Sequence, residues 1–161
     1  MKENLNLEQQ KHHLYHYWEK KGLISNDNVL KAFMKVPREI FVEPSHRDQS
    51  YADHPLPISC DQTISQPTTV MLMLQLLELQ SGQRALEIGT GSGYNAALIA
   101  ELKGDVVSVE RHPKLAKIAK RNLKKAGYND VIVVNGDGKK GYIPLAPYDK
   151  IIVTAATQKV P

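Results

Sequence analysis

Three short segments of the chain place glycines or carboxylates at the ends of apolar runs. The first is Leu86-Glu87-Ile88-Gly89-Thr90-Gly91-Ser92-Gly93-Tyr94, a glycine-rich turn between an apolar run and a helical one. Glycine tolerates positive φ and puts no Cβ between backbone and ligand, so such a turn can lie against a ribose or an amino acid moiety. Dinucleotide sites normally space these glycines G-x-G-x-x-G to seat a pyrophosphate. The G-x-G-x-G spacing here favours a ligand without pyrophosphate and argues against a nicotinamide-dependent oxidoreductase, the rival enzyme reading. The plain alternative is a turn that only packs strand against helix.

The second segment ends in Glu110, 17 residues beyond Gly93. A carboxylate closing the second strand of such a unit accepts hydrogen bonds from both ribose hydroxyls. A surface pair with Arg111 is the bland reading. The third is Asn135-Gly136-Asp137-Gly138, whose aspartate can accept from the exocyclic amine of an adenine. Alone it would pass for an ordinary Asp-Gly turn. Three strand ends converging on one crevice make the nucleoside site credible.

Those turns need a sheet to hold them. Apolar runs at Arg84 to Ile88, Asp105 to Glu110, Asp130 to Asn135 and Lys150 to Thr154 alternate with helical stretches from Tyr94 to Leu102 and from Pro113 to Gly127. Proline at the start and glycine at the end mark the second helix. The alternation predicts an α/β fold, half of a doubly wound parallel sheet with right-handed crossovers. Ile151-Ile152-Val153 reads as a strand buried on both faces. Upstream, Leu7, Leu14, Tyr15, Tyr17 and Trp18 predict a helix over 5–22. Asn26 or Asp27 caps a second helix that must end near Pro37. Phe41 to Pro67, with four prolines, reads as a long ordered loop, and Thr68 to Leu79 as a helix closed by Ser81-Gly82. Residues 1–80 thus carry helices and a loop and residues 81–161 the partial sheet, in one continuous domain.

With 42% hydrophobic residues the chain can build a packed core. The net charge of +4 is densest from Lys114 to Lys125, on a predicted helix. No aromatic-rich basic stripe accompanies it, so a solvated face is preferred over nucleic-acid binding. A single cysteine, Cys60, excludes an internal disulfide, and the N-terminus lacks a secretory pattern, which fits a cytoplasmic protein. The longest apolar run, Val70 to Leu79, is broken by Gln75 and Glu78 and is shorter than the ~20 residues of a membrane span. His12 and His16 lie one helical turn apart, beside His13, without a further ligand signature, so no metal is expected. Cys60 is read as an adventitious small side chain rather than a reactive thiol.

Further blocks carry a family resemblance: Val36-Pro37-Arg38-Glu39-Ile40-Phe41-Val42, Tyr51-Ala52-Asp53 with Pro55-Leu56-Pro57-Ile58, Gln62-Thr63-Ile64-Ser65-Gln66-Pro67, and Ala146-Pro147-Tyr148-Asp149 leading into Ile151-Ile152-Val153-Thr154-Ala155-Ala156. With the three turns they make the chain resemble the protein-L-isoaspartate O-methyltransferases along essentially its whole length. The core blocks alone would suit many class I methyltransferases, whereas the Thr-Ile-Ser-Gln-Pro loop is specific to this family. The resemblance implies a Rossmann-like class I methyltransferase fold and S-adenosyl-L-methionine as cofactor. The implied reaction is methyl transfer to the free α-carboxylate of L-isoaspartyl residues in damaged proteins and peptides.

The resemblance also implies roles. Glu87, Gly89, Thr90, Gly91 and Gly93 form the block against the methionine and ribose. Glu110, with Arg111 beside it, holds the ribose, and Gly136, Asp137 and Gly138 hold the adenine. Thr63, Ile64 and Ser65 line both cofactor and substrate, and Ser65 takes the active-site serine position. A carboxylate is ionised at neutral pH, so Ser65 is read as an orienting donor. A nucleophilic serine would need a base fixed by a third group, and no such signature exists. Two departures stand out. Family members carry glycine on either side of one variable residue where this chain has Ser59-Cys60-Asp61, so Asp61 is expected to repel a carboxylate substrate. Members also continue past the point of Pro161, which leaves four of seven strands, an exposed edge and an expectation of self-association with weak activity. A non-catalytic fragment retaining a nucleoside half-site is the rival to the enzyme reading.

Overall fold

The computed structural model describes residues 5–156. Helix α1 (Leu7–Lys21) begins at a capping box: the Asn6 side chain accepts from the Gln9 N–H while the Gln9 side chain accepts from the Asn6 N–H. Its Trp18 is fully buried, packs edge-on against Phe33 at 4.6 Å and donates its indole N–H to Thr68 Oγ1. Helix α2 (Asp27–Lys35) is capped by Asn26, whose side chain accepts from the Asn28 and Val29 N–H groups. It stops as expected, because Pro37 holds Val36 in an extended conformation.

The segment read as one long loop contains structure. A 3-10 turn covers Arg38–Ile40 and another Pro44–Gln49. An antiparallel hairpin follows, β1 (Leu56–Ile58) paired with β2 (Gln62–Ile64). Strands of three residues are too short for an alternating pattern to stand out, and Pro57 obscures it further. Leu56, Ile58 and Ile64 nevertheless turn inward and are buried. At the hairpin tip Cys60 and Asp61 take φ of 64° and 54°, in the left-handed region. Helix α3 (Pro67–Leu77) ends at Glu78, itself left-handed, three residues before the expected Ser81-Gly82 stop.

The sheet then forms from β3 (Arg84–Ile88), β4 (Asp105–Glu110), β5 (Ile132–Asn135) and β6 (Lys150–Val153), all parallel, in the order β5-β4-β3-β6. Helices α4 (Tyr94–Glu101) and α5 (Pro113–Ala126) make the crossovers between β3, β4 and β5. The doubly wound half predicted from the sequence is present. Trp18, Phe33, Phe41, Met71, Leu74, Tyr94, Leu98 and Ile99 share one core that joins the N-terminal helices to the sheet. Leu86, Val107 and Val109 build a smaller cluster. Burial of β6 on both faces does not hold. Ile152 is buried, but Ile151 is 59% exposed because β6 is an edge strand among the described residues and nothing among them covers that face.

The hairpin tip yields a first prediction. A non-glycine residue in the left-handed region carries a backbone cost of roughly 1 kcal/mol, less for aspartate, which visits it more readily. Asp61 is exposed and makes no side-chain hydrogen bond among the described residues. Asp61→Gly should therefore stabilise the chain by about 0.5 kcal/mol, net of the added freedom of the unfolded state. Thermal unfolding that showed a lower midpoint for the variant would contradict this.

Candidate functional site

Strand order reverses at β3, and the crevice at the carboxyl ends of strands beside such a reversal is where open α/β sheets bind ligands. A cavity of about 600 Å³ lies there, within the range of small-molecule and cofactor sites. Its walls come from four strand ends and the hairpin: Ile88, Gly89 and Gly91 after β3, Val109 to His112 after β4, Asp137 to Lys139 after β5, Val153 to Ala156 after β6, and Gln62 and Thr63 from β2.

The glycine turn is fixed from both sides. The Gly89 N–H donates to the Val109 carbonyl at 2.8 Å, while Thr154 Oγ1 donates to the Gly89 carbonyl at 2.6 Å. Gly89 has φ +101°, and a Cβ there would lie 2.8 Å from that of Ala155. Only glycine fits. Across the turn, the Gly91 N–H donates to Glu110 Oε2 and the His112 N–H to Oε1, both at 2.9 Å. Two backbone donors thus hold the Glu110 carboxylate at the cavity wall, with no cation within ion-pair distance among the described residues. A carboxylate has about four acceptor sites, so capacity remains for ligand hydroxyls. Arg111 lines the wall, exposed, with its Nε–H donating to His112. Asp137 is exposed, lines the cavity and accepts from the Lys139 N–H.

Of the residues singled out from sequence, Thr63, Gly89, Gly91, Glu110, Arg111, Asp137 and Gly138 line this one cavity. Ile64, Ser65, Glu87, Thr90, Gly93 and Gly136 do not. Ile64 faces the core beneath the hairpin. Ser65 lies two residues beyond Thr63, half-buried, and its hydroxyl makes no hydrogen bond among the described residues; its carbonyl accepts from Arg38. Thr90 is buried against Ser108. Gly93 packs on α5, where a Cβ would meet Leu123 at 3.2 Å. Gly136 donates its N–H to the Glu110 carbonyl, bracing the strand end. Asp61, expected to face the substrate, sits at the exposed hairpin tip outside the lining.

Sequence reasoning missed Gln62, His112, Lys139 and Thr154 to Ala156. Gln62 and Thr154 to Ala156 stand inside blocks quoted for the resemblance but given no site role, and His112 and Lys139 directly follow Arg111 and Gly138, so extending the site to those neighbours would have found them. His12 and His16 lie on α1 with ring centroids 6.3 Å apart, and no group of three metal-ligating side chains occurs among the described residues.

Comparison with known proteins shows the family of the chain. The family model described as protein-L-isoaspartate(D-aspartate) O-methyltransferase matches residues 9–161. The protein-L-isoaspartate O-methyltransferase of Pyrococcus horikoshii is 49% identical over 156 residues, covering 92% of this chain and 71% of that protein. That of Thermococcus onnurineus is 53% identical over 152 residues, covering 91% and 69%. A solved protein-L-isoaspartate O-methyltransferase superposes with a TM-score of 0.82 at 38% identity, over 94% of this chain and 50% of that one. A beta-aspartate methyltransferase structure from Plasmodium falciparum, in complex with S-adenosyl-L-homocysteine, shares the fold, with a TM-score of 0.80 at 24% identity over 92% of this chain and 75% of that one. The chain spans about 70% of the length of the first two relatives and half that of the first solved structure.

Glu87 has a different place from the one its motif suggested. It is fully buried under the glycine turn; Asn95 Nδ2 donates to one carboxylate oxygen at 2.8 Å and Ser108 Oγ to the other. Burial pushes its carboxyl up to about 7, against the downward pull of the Ser108 and Asn95 hydrogen bonds, and the nearby Glu110 adds to the rise. Glu87 therefore binds its proton more tightly in the folded chain than in the unfolded one, where 4.5 is the ordinary value. The resulting stability is fully present below about pH 4.5 and is lost as the pH rises through about 7. The shift corresponds to something on the order of 3 kcal/mol. Glu87→Gln, which cannot ionise, should gain stability relative to the parent at pH 8 and much less at pH 5. Urea denaturation showing the same difference at both pH values would refute the buried-acid account.

Proposed function

The chain belongs to the protein-L-isoaspartate (D-aspartate) O-methyltransferase family, S-adenosylmethionine-dependent methyltransferases of protein repair, and we propose that the cavity at the β3 reversal is its methyl-transfer site. The substrate in this reading is the free α-carboxylate of an L-isoaspartyl residue in a damaged protein or peptide. The observation that carries it is the Glu110 carboxylate, held by two backbone N–H groups opposite the glycine turn and left with free acceptor sites. That arrangement fits a ribose diol. Asp137 and the backbone at Gly138 would take the adenine, and Gly89 and Gly91 the methionine portion. When bound, S-adenosylmethionine supplies the methyl group as an electrophilic sulfonium.

The chain's own side chains have little proton chemistry to perform. The acceptor carboxylate is ionised at neutral pH, so no general base is required. Thr63 and Gln62 line the cavity from the hairpin. Ser65, with its hydroxyl uncommitted, would orient the acceptor by donating a hydrogen bond, so that positioning supplies most of the acceleration. Ile64 backs the hairpin from the core, and Glu87 and Thr90 support the turn from below. A cytoplasmic location belongs to the same proposal and agrees with Cys60 as a free thiol.

Calorimetry should show binding of S-adenosylhomocysteine and none of NAD; the reverse would exclude the reading. Glu110→Ala should weaken that binding by ~1.5–3 kcal/mol, the range for hydrogen bonds to a charged group. Ser65→Ala should lower turnover of an isoaspartyl peptide while leaving cofactor affinity nearly unchanged. Equal loss of both would assign Ser65 to the cofactor alone.

A further inference from the structure

The proposed chemistry leaves a fully buried cation unused. Pro37 ends α2, and the 3-10 turn that follows sends Arg38 inward, where it is fully buried. Its Nε–H donates to the Ser50 carbonyl and its Nη2–H to the Ser65 carbonyl, both at 2.7 Å. The guanidinium carbon lies 4.8 Å from the centroid of the Tyr94 ring. Among the described residues no carboxylate comes within ion-pair distance, and Nη1 has no hydrogen-bond partner. Burial pulls its pKa down, partly offset by Tyr94, Tyr51 and Asp53, yet a guanidinium stays charged in proteins. An unpaired buried charge is costly, and an apolar side chain of similar volume often packs as well or better. Stability alone does not account for Arg38.

The groups it joins do. Ser65 follows the hairpin strand whose Thr63 lines the cavity, and Tyr94 opens α4 directly after the glycine turn. We propose that Arg38 is a positioning residue for methyl transfer, its guanidinium fixing the Ser65 segment against the glycine turn so that acceptor and cofactor meet in line. This rests on the methyltransferase reading above. A planar guanidinium can donate along its edge to two carbonyls while stacking on a ring. Lysine keeps the charge and loses both the fork and the stack. An in-line displacement is intolerant of misplacement: about 1 Å can lower the rate about 100-fold.

Arg38→Met and Arg38→Lys in the full chain test this, read by S-adenosylhomocysteine calorimetry, steady-state methyl transfer to an isoaspartyl peptide, and hydrogen exchange of amides 62–66. Arg38→Met should keep the cofactor Kd within about threefold while kcat falls about 100-fold. Exchange at 62–66 should accelerate without change in β4 or β5, and Arg38→Lys should recover little of the lost turnover. A lower melting point and weaker cofactor binding with kcat of the folded protein unchanged would make Arg38 structural and overturn the proposal. Should Arg38→Met fail to fold, Arg38→Lys decides, and a kcat within about threefold of the parent overturns it. A parent that transfers no methyl group refutes the functional reading separately; the exchange measurement then stands alone, and unchanged protection at 62–66 overturns the positioning role.

Discussion

The reversal of strand order at β3 is the constraint on which the rest depends. With β4 on one side and β6 on the other, the carboxyl end of β3 is hydrogen-bonded to both neighbours: Gly89 donates to Val109 across one gap, and Thr154 donates to Ile88 and Gly89 across the other. The ties continue outward, since Gly136 and Asn135 both donate to the Glu110 carbonyl. One line of bonds therefore runs from β6 through β3 and β4 to β5 at the level of the cavity floor. At such a reversal the connections from adjacent strands leave to opposite faces of the sheet, which opens a crevice outside the strand ends.

The buried ionisable groups meet their loss of water in different ways. Glu87 has hydrogen bonds on both oxygens and can also take up a proton, so its charge is negotiable. Arg38 cannot shed its charge and depends on carbonyls and a ring. Lys11, 9% exposed on α1, lies between these cases: burial lowers its pKa while Glu39 and Glu8 pull it back up. Its ammonium donates to the Met34 and Val36 carbonyls, where α2 ends, and a cation at a helix C-terminus is favourable in itself. Lys11 thus anchors the end of α2, Pro37 turns the chain, and Arg38 carries the constraint to Ser65. The N-terminal helices, remote from the cavity, are mechanically continuous with its hairpin side.

What could be read from the sequence was what local chemistry dictates. Asn6 and Asn26 as caps, Pro37 as a stop, Pro113 and Gly127 as helix ends, and the strands closing in Ile88 and Glu110 all follow from single-residue preferences or from apolar runs of five or six residues. The hairpin was hidden because its pairing depends on Leu56, Ile58 and Ile64 finding the core, a tertiary effect that three-residue strands do not advertise. The site was legible wherever a motif residue sits at a strand end facing the crevice. It was misread where motif membership stood in for facing. Glu87 and Gly93 belong to the glycine block by spacing, yet one points into the core below the turn and the other packs on α5. Burial direction is set by the pleat and by helix packing, which spacing alone does not encode.

The distribution of charge around the cavity bears on the proposed reaction. Every charged side chain in the lining comes from the ends of β4 and β5, namely Glu110, Arg111, Asp137 and Lys139, where a ribose and adenine would lie. The hairpin and the end of β6 contribute Gln62, Thr63, Thr154, Ala155 and Ala156, and β3 contributes glycines and Ile88, all neutral. A sulfonium and a carboxylate attract most strongly where few mobile charges or waters intervene, since their interaction scales inversely with the local dielectric. Fixed charge near them would stabilise one reactant at the expense of the other. Arg38 stays out of this lining: its guanidinium is fully buried behind the hairpin and donates to the Ser50 and Ser65 carbonyls, so the hairpin side of the cavity presents the neutral Gln62 and Thr63.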